Sequence, residues 1–153
     1  MTVLKDGLTG LGHFEGLIHV LPLNVYYEDT DLSGVVYHAN YLRFMERGRT
    51  EFFRMAGISR ADLDAEEPTA WALRRIAVDY HRPARLDDRI AVRSQLTGVS
   101  GARIHVLQTI VCGDLLLVEG RIEACMITLS GKARRLPKNI QETLAPYVTP
   151  SET

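Results

Sequence analysis

The densest group of residues able to do chemistry lies between Tyr26 and Tyr41, in the stretch YYEDTDLSGVVYHANY. It contains the three carboxylates Glu28, Asp29 and Asp31. A Ser-Gly turn follows them, and His38 stands just before a pattern typical of a helix start. A carboxylate is ionised at neutral pH and can act as a nucleophile or a general base. Free N–H groups at a helix start stabilise an oxyanion, so the segment is a candidate site for acyl transfer.

The same segment has two other interpretations on spacing alone. Asp29, Asp31 and Ser33 match the first positions of a calcium-binding EF-hand loop, although Asn40 stands where the bidentate glutamate belongs. Alternatively, Asp29 and Asp31 only accept hydrogen bonds from turn amides, which is the interpretation that spacing by itself favours.

Serine or cysteine catalysis and a histidine metal site find less support. Ser33 has no G-x-S-x-G context, and Cys125 lies among apolar residues that disfavour its thiolate. The 5 histidines show no i, i+4 pair and no cysteine at ligand spacing. We therefore expect no metal and no separate cofactor.

The periodicity of the chain indicates the elements that position this segment. Apolar residues at helical spacing predict a helix over Asn40–Ala56, with Gly57 as its stop. One strand is predicted before the segment, at Leu17–Tyr27, and four are predicted after it. The four are Ala70–Arg82, Arg89–Val99, Ala102–Cys112 and Leu115–Leu129. This order predicts an α+β fold in which an antiparallel sheet packs on one helix.

Gly48 falls on the apolar face of the predicted helix. A glycine there costs about 1 kcal/mol of helix propensity relative to alanine. Because a close approach between helix and sheet would offset that cost, we expect this helix to lie at the centre of the fold.

Length and composition indicate one globular domain. The chain has 153 residues, of which 46% are hydrophobic and 24% are charged. We expect a flexible leader over residues 1–16, a single domain over 17–140 and a loose tail over 141–153.

The charge and the cysteine count narrow the class of protein. The net charge of -1 argues against a protein that coats nucleic acid. Residues 1–70 nevertheless carry -5 and residues 71–153 carry +4. Two cysteines are too few for a disulfide scaffold, and we find no signal-peptide pattern and no apolar run long enough to span a membrane. We therefore expect a cytoplasmic protein.

The stretch Tyr27–Arg54 closely resembles hotdog-fold acyl-CoA thioesterases of the 4-hydroxybenzoyl-CoA thioesterase family. Within that family it is most similar to the branch associated with the bacterial Tol-Pal system. Further matching features are the segment Val78–Ala84, the pair Asp87-Asp88 and the ending Arg135–Pro137. The resemblance covers about residues 18–140 and implies a hotdog fold, an antiparallel sheet wrapped around one long central helix. It also implies a homodimer or homotetramer with active sites at the subunit interface.

The resemblance also implies roles for individual residues. Asp31 corresponds to the catalytic carboxylate, as nucleophile or as general base on water. His38 corresponds to the residue whose backbone N–H polarises the thioester carbonyl, and Tyr37 is expected to contact substrate. Coenzyme A, which is part of the substrate rather than a cofactor, would need a basic surface for its phosphates. The main candidates for that surface are Lys132, Arg134 and Arg135, with Lys138, Arg74 and Arg75 as further ones.

The substrate and two alternative functions stay open on the sequence. An acyl carrier protein could replace coenzyme A as the thioester donor, and the acyl chain length is not indicated. One alternative is a hotdog hydratase or dehydratase acting on acyl thioesters. The other is a non-catalytic module that binds acyl thioesters or an acyl carrier protein within a cell-envelope complex.

Overall fold

The computed structural model describes residues 12–149, which form six strands and three helices. The strands are β1 (His13–Glu15), β2 (Ile18–Asn24), β3 (Thr69–Tyr80), β4 (Arg89–Ser100), β5 (Arg103–Cys112) and β6 (Leu115–Thr128). The helices are α1 (Asn40–Ala56), α2 (Arg60–Asp64) and α3 (Lys138–Leu144), with 3-10 turns at Tyr27–Asp29 and Ala145–Tyr147. Of the helices in this range, none is long and apolar enough to cross a membrane.

The six strands form one antiparallel sheet in the order β1-β2-β4-β5-β6-β3. Along β4 and β5, buried residues alternate with partly exposed ones. This period of two is typical of a sheet that has one face against the core. The predicted α+β class and antiparallel sheet are therefore confirmed. β3 stands at the end of the order, so its outer edge pairs with no other strand of residues 12–149.

Helix α1 has the bounds that the periodicity predicts. Gly57 ends it in the left-handed conformation, with φ 101°, and its N–H donates to the carbonyls of Arg54 and Phe53. The helix contacts β2, β4 and β5. The buried residues of the helix are Tyr41, Phe44, Met45, Gly48, Phe52 and Phe53.

The predicted close approach at Gly48 is confirmed. A Cβ at this position would lie 2.7 Å from Val92 Cγ1, 3.0 Å from Gln108 Nε2 and 3.1 Å from Ser94 Oγ. The backbone of α1 therefore lies directly against β4 and β5, and no larger residue fits there unless these three side chains move.

The prediction of a flexible leader is wrong for residues 13–16. His13–Glu15 form β1, which pairs with β2. The Phe14 ring stands edge-on to Phe52 of α1, with ring centroids 5.3 Å apart. This aromatic contact fixes a segment whose glycines indicated flexibility, and residues 1–11 lie outside the described residues.

The prediction of a loose tail is wrong for residues 141–149. Ile140 and Leu144 lie four residues apart and therefore on one face of α3. Both side chains are buried, so this face packs against the core. Beyond the helix, the Thr149 N–H donates to the Leu96 carbonyl at 2.8 Å. The domain therefore extends beyond residue 140, while residues 150–153 lie outside the described range.

Candidate active site

Asp31 and His38 belong to one short loop that ends at the start of α1. The two sides of this loop are joined by backbone hydrogen bonds. The Asp31 N–H donates to the Val35 carbonyl at 2.9 Å, and the Tyr37 N–H donates to the Asp29 carbonyl at 3.0 Å. The local fold therefore brings together the carboxylate and the helix N-terminus that the residue types predict as one site.

The two carboxylate oxygens of Asp31 have different surroundings. Oδ1 accepts a hydrogen bond from the Ser33 hydroxyl at 2.5 Å and one from the Ser33 N–H at 2.7 Å. These bonds, the hydroxyl first, lower the pKa of Asp31 below its usual value because they favour the ionised form. Oδ2 accepts no hydrogen bond from residues 12–149. Oδ1 therefore accepts hydrogen bonds within the turn, as the turn-amide interpretation requires. Oδ2 is left without a hydrogen bond to the described residues and is accessible to a substrate.

The start of α1 presents backbone N–H groups without acceptors. Neither His38 nor Ala39 donates its N–H to any atom of residues 12–149, and Ala39 gives the helix no side-chain cap. The positive end of the helix dipole adds to the attraction these groups have for negative charge. This is the arrangement needed for an oxyanion. Tyr37 is exposed beside it, with its ring centroid 4.4 Å from that of His38.

Two tyrosines that sequence reasoning left without a role hold this loop in place. The Tyr80 hydroxyl donates to the His38 carbonyl at 3.1 Å, which fixes the peptide next to the free N–H groups. The Tyr41 hydroxyl accepts from the Ala84 N–H at 2.9 Å, and the Ala84 carbonyl accepts from Val36 N–H at 2.8 Å. A tyrosine on a buried helix face needs a partner for its hydroxyl, and that was the available signal for Tyr41.

The three main basic residues predicted for coenzyme A lie at the other end of the sheet. Arg74 and Arg75 lie in the middle of β3, where Arg74 pairs with Glu123. Lys132 and Arg135 are exposed on the segment after β6, which pairs alongside the end of β6 that meets Thr69. The Asp31 loop instead contacts the Tyr80 end of β3. A strand of 12 residues spans about 35 Å. One chain therefore does not bring this cluster to its own Asp31.

Arg134 differs from its two neighbours because its charge is already paired. Its side chain is only 12% exposed, and Nη2 lies 2.5 Å from Glu66 while Nε lies 3.6 Å from Glu67. Arg134 therefore ties Glu66 and Glu67, which lie between α2 and β3, to the segment after β6.

The carboxylates of the loop are not arranged as a metal centre. Within the described part of the chain, no three His, Cys, Asp or Glu side chains form a group that could hold a metal ion. Asp29 instead accepts the Tyr26 N–H at 2.8 Å through Oδ2.

We expect Ser33→Ala to move the acidic limb of the pH profile upward. In the unsubstituted protein the Ser33 hydroxyl keeps Asp31 ionised at pH values below the usual range of an aspartate. Without that hydroxyl, the pKa of Asp31 rises toward its usual value, and kcat/KM falls at a higher pH. The measurement is thiol release against pH from an acyl-CoA, the substrate class that the resemblance implies, with samples quenched and read at one fixed pH. Ser33→Thr keeps the hydroxyl and should keep the wild-type limb; an unmoved limb in Ser33→Ala would contradict this assignment.

The fold and the loop together define a class of protein. An antiparallel sheet carries a helix whose free N-terminal N–H groups and a nearby open carboxylate suit attack on a carbonyl. The chain belongs to the Thioesterase-like superfamily, whose family model matches residues 25–144.

Individual relatives agree with this assignment. The chain is 43% identical over 121 residues to the acyl-CoA thioester hydrolase YbgC of Escherichia coli, covering 78% of this chain and 90% of that protein. It is 38% identical over 122 residues to the acyl-CoA thioesterase YbgC of Haemophilus influenzae, covering 78% and 89%. A probable thioesterase from Bartonella henselae has a similar structure, with a TM-score of 0.75, 38% identity, and coverage of 78% and 99%. The prediction of a thioesterase-class enzyme is thereby confirmed.

Proposed function

We propose that this chain hydrolyses acyl-CoA thioesters to a free acid and coenzyme A. The observation that carries the proposal is the open Oδ2 of Asp31 in the same loop as the free N–H groups of His38 and Ala39. The names of the YbgC relatives support the same substrate class.

In the proposed reaction the thioester carbonyl oxygen accepts the His38 N–H. Asp31 Oδ2 then attacks the carbonyl carbon, the C–S bond breaks, and coenzyme A leaves as the thiolate, which takes up a proton. Water hydrolyses the resulting anhydride and regenerates the carboxylate. In the alternative route Asp31 accepts a proton from a water that attacks the same carbon directly. Both routes need Asp31 ionised, which the Ser33 hydrogen bonds favour.

We further propose that the working unit is a homodimer, or a pair of dimers, joined along β3 with the sheet wrapped around α1 in the hotdog manner. The outer edge of β3 is unpaired in the described residues, and unpaired strand edges are templates for a second chain. Exposed apolar side chains lie on the Asp31 loop and at the end of β3, where a second copy would cover them. They are Tyr26, Tyr27, Leu32, Tyr37 and Tyr80.

Pairing along β3 would also account for the distant basic residues. If two β3 strands pair antiparallel about their centres, the Thr69 end of one copy meets the Tyr80 end of the other. Lys132 and Arg135 of the second copy then approach the first copy's Asp31 loop, where the phosphates of coenzyme A need cations. The cytoplasmic location and the association with the Tol-Pal system stay part of this proposal.

A panel of acyl-CoAs of increasing chain length, read by release of free thiol, tests the proposed function. We expect turnover with at least one member and an oligomer of at least two chains by sedimentation. Crotonyl-CoA, read for hydration, distinguishes a hydratase. Binding without thiol release from any acyl-CoA or acyl carrier protein thioester would instead favour a non-catalytic module.

A further inference from the structure

The free N–H group of Ala39 belongs to the same peptide unit as the carbonyl of His38. This unit is trans and planar, so whatever fixes the carbonyl also fixes the direction of the N–H. Two successive peptide units therefore present the donors of the site. The unit that joins Tyr37 to His38 carries the His38 N–H, and the unit that joins His38 to Ala39 carries the Ala39 N–H.

The loop and the helix start hold the first of these units. The Tyr37 carbonyl accepts a hydrogen bond from the Asn40 N–H at 2.8 Å, which closes a turn at the start of α1. The Asp29 carbonyl accepts one bond from the Tyr37 N–H at 3.0 Å and another from Asn40 Nδ2 at 2.9 Å. The peptide that carries the His38 N–H is therefore placed by residues that are close to Asp31 in the sequence.

The second unit depends on β3 instead. A regular helix would satisfy the His38 carbonyl with the N–H of Leu42, four positions further on, but Leu42 donates to the Ala39 carbonyl at 3.2 Å. Among residues 12–149, the hydrogen bond that the His38 carbonyl accepts comes from the Tyr80 hydroxyl, at 3.1 Å. The peptide that carries the Ala39 N–H is therefore held by a side chain 42 positions away.

The ring of Tyr80 is itself fixed, so its hydroxyl donates in a set direction. Tyr80 pairs with Val118 at the end of β3, and its ring stands edge-on to the Tyr41 ring, with centroids 5.7 Å apart. The two residues that follow Tyr80 both donate their N–H groups to the Leu117 carbonyl, at 2.8 and 3.0 Å. These contacts use the ring and the backbone, and none of them needs the hydroxyl.

We infer that Tyr80 is a positioning residue for the proposed reaction, and that its hydroxyl makes the Ala39 N–H a second oxyanion donor beside the His38 N–H. This inference rests on the proposed hydrolysis. As the thioester is attacked, its carbonyl oxygen gains negative charge, and donors already aimed at that oxygen stabilise the charge. The first N–H groups of a helix point toward the same end, where an anion can accept from more than one of them.

The Tyr80 hydroxyl also strengthens the donor that it positions. A hydrogen bond to the carbonyl of a peptide polarises the whole unit, and its N–H then donates more strongly. Tyr80 therefore acts on the reacting oxygen through the peptide between His38 and Ala39, and needs no contact with the substrate.

Tyr80→Phe removes the hydroxyl and keeps the ring, so circular dichroism and sedimentation should show an unchanged fold and assembly. With the acyl-CoA that the panel turns over fastest, we expect kcat and kcat/KM both to fall by about tenfold. The loss of a whole oxyanion donor costs more, about 10²–10³-fold. KM should stay within about twofold, because an interaction made only in the transition state lowers kcat and kcat/KM equally.

Tyr147→Phe is the matched control. Its hydroxyl makes no hydrogen bond to residues 12–149, and its ring packs on Phe14 and Phe52, toward the end of α1 that lies away from His38. We expect kcat and KM to stay at the values of the unsubstituted protein.

Infrared spectroscopy separates positioning of the peptide from a general loosening of the loop. The stretching frequency of a thioester carbonyl falls when donors polarise its oxygen, and a ¹³C label at that carbonyl isolates its band. Asp31→Asn should leave the bound thioester intact for long enough to record the band. Adding Tyr80→Phe to this variant should move the band back toward its position in free acyl-CoA, while adding Tyr147→Phe should not move it.

Nuclear magnetic resonance tests the same contact without any substrate. His38 and Ala39 form the one His-Ala pair of the sequence. Histidine labelled with ¹³C at its carbonyl, combined with ¹⁵N alanine, therefore gives a single correlation peak from this peptide. Tyr80→Phe should move the peak because the peptide loses its hydrogen bond, and Tyr147→Phe should leave it in place.

The outcomes distinguish failure of this inference from failure of the proposed function. A peak that Tyr80→Phe leaves in place would overturn the inference, and so would a kcat equal to that of Tyr147→Phe. A raised KM with an unchanged kcat would also overturn it, since Tyr80 would then contribute to substrate binding alone. If the unsubstituted protein releases no thiol from any acyl-CoA, the proposed function fails and the catalytic role of Tyr80 fails with it, while the labelled peak still decides whether Tyr80 positions the peptide.

Discussion

Asp31→Asn is expected to lower kcat for thioester hydrolysis by about 10³-fold, the scale of effect for a lost general base or nucleophile. An amide of the same shape can still accept from Ser33, so the loop should keep its structure. Its uncharged oxygen, however, neither attacks the carbonyl efficiently nor takes a proton from water. The measurement is thiol release under saturating acyl-CoA, with circular dichroism and sedimentation to show an unchanged fold and assembly.

Asp29→Asn is the matched control for this substitution. It removes a carboxylate two residues away whose Oδ2 accepts the Tyr26 N–H, a bond that an amide oxygen also accepts. We expect kcat to stay within a few fold of the unsubstituted value. Full activity in Asp31→Asn, or equal losses in both variants, would refute the assignment of Asp31 as the reacting carboxylate.

Gly48→Val is expected to destabilise the protein by about 3 kcal/mol, near the upper end of the usual cost of overpacking a core. The first carbon of the new side chain would lie 2.7 Å from Val92 Cγ1, and the two methyl groups beyond it need still more space. The gain in helix propensity over glycine is well below 1 kcal/mol and cannot offset this cost. Urea unfolding followed by circular dichroism gives the free energy of unfolding.

Arg47→Val supplies the control from the same helix. Arg47 is exposed, so the substitution changes helix propensity and surface contacts but adds nothing to the core. Its effect should be under about 1 kcal/mol. If Gly48→Val were as stable as Arg47→Val, the close approach of α1 to β4 and β5 would be disproved.

The sequence predicted the long elements closely and missed the short helices. α1 carries an apolar stripe over several turns and a terminal glycine, and these fix both of its ends. α2 has only five residues, too few to show a period, and its signal is the capping box between Ser59 and Asp62. α3 was hidden because prolines surround the buried pair Ile140 and Leu144.

Only the part of the candidate site whose residues are close together in the sequence could be predicted. Asp31 and His38 are seven positions apart, and a turn lies between them. The residue types alone therefore predict that the two lie close together in space. The position of Lys132 relative to Asp31 depends on strand order, which periodicity does not contain. Likewise, the partners of Tyr41 and Tyr80 depend on the path of the chain after β3.

The hydrogen bonds that hold the Asp31 loop have a consequence for the order of folding. Tyr80 reaches His38 across 42 positions of the sequence, and Ala84 reaches Tyr41 across 43. Contacts between such distant positions form late, because closing a long stretch of chain costs entropy before any contact compensates for it. The helix and the local hydrogen bonds of the loop can form early, but the bonds that fix the loop against Tyr80 and Ala84 need β3 and the turn after it to have docked. We therefore expect the complete arrangement of this loop to form at the end of folding, after α1.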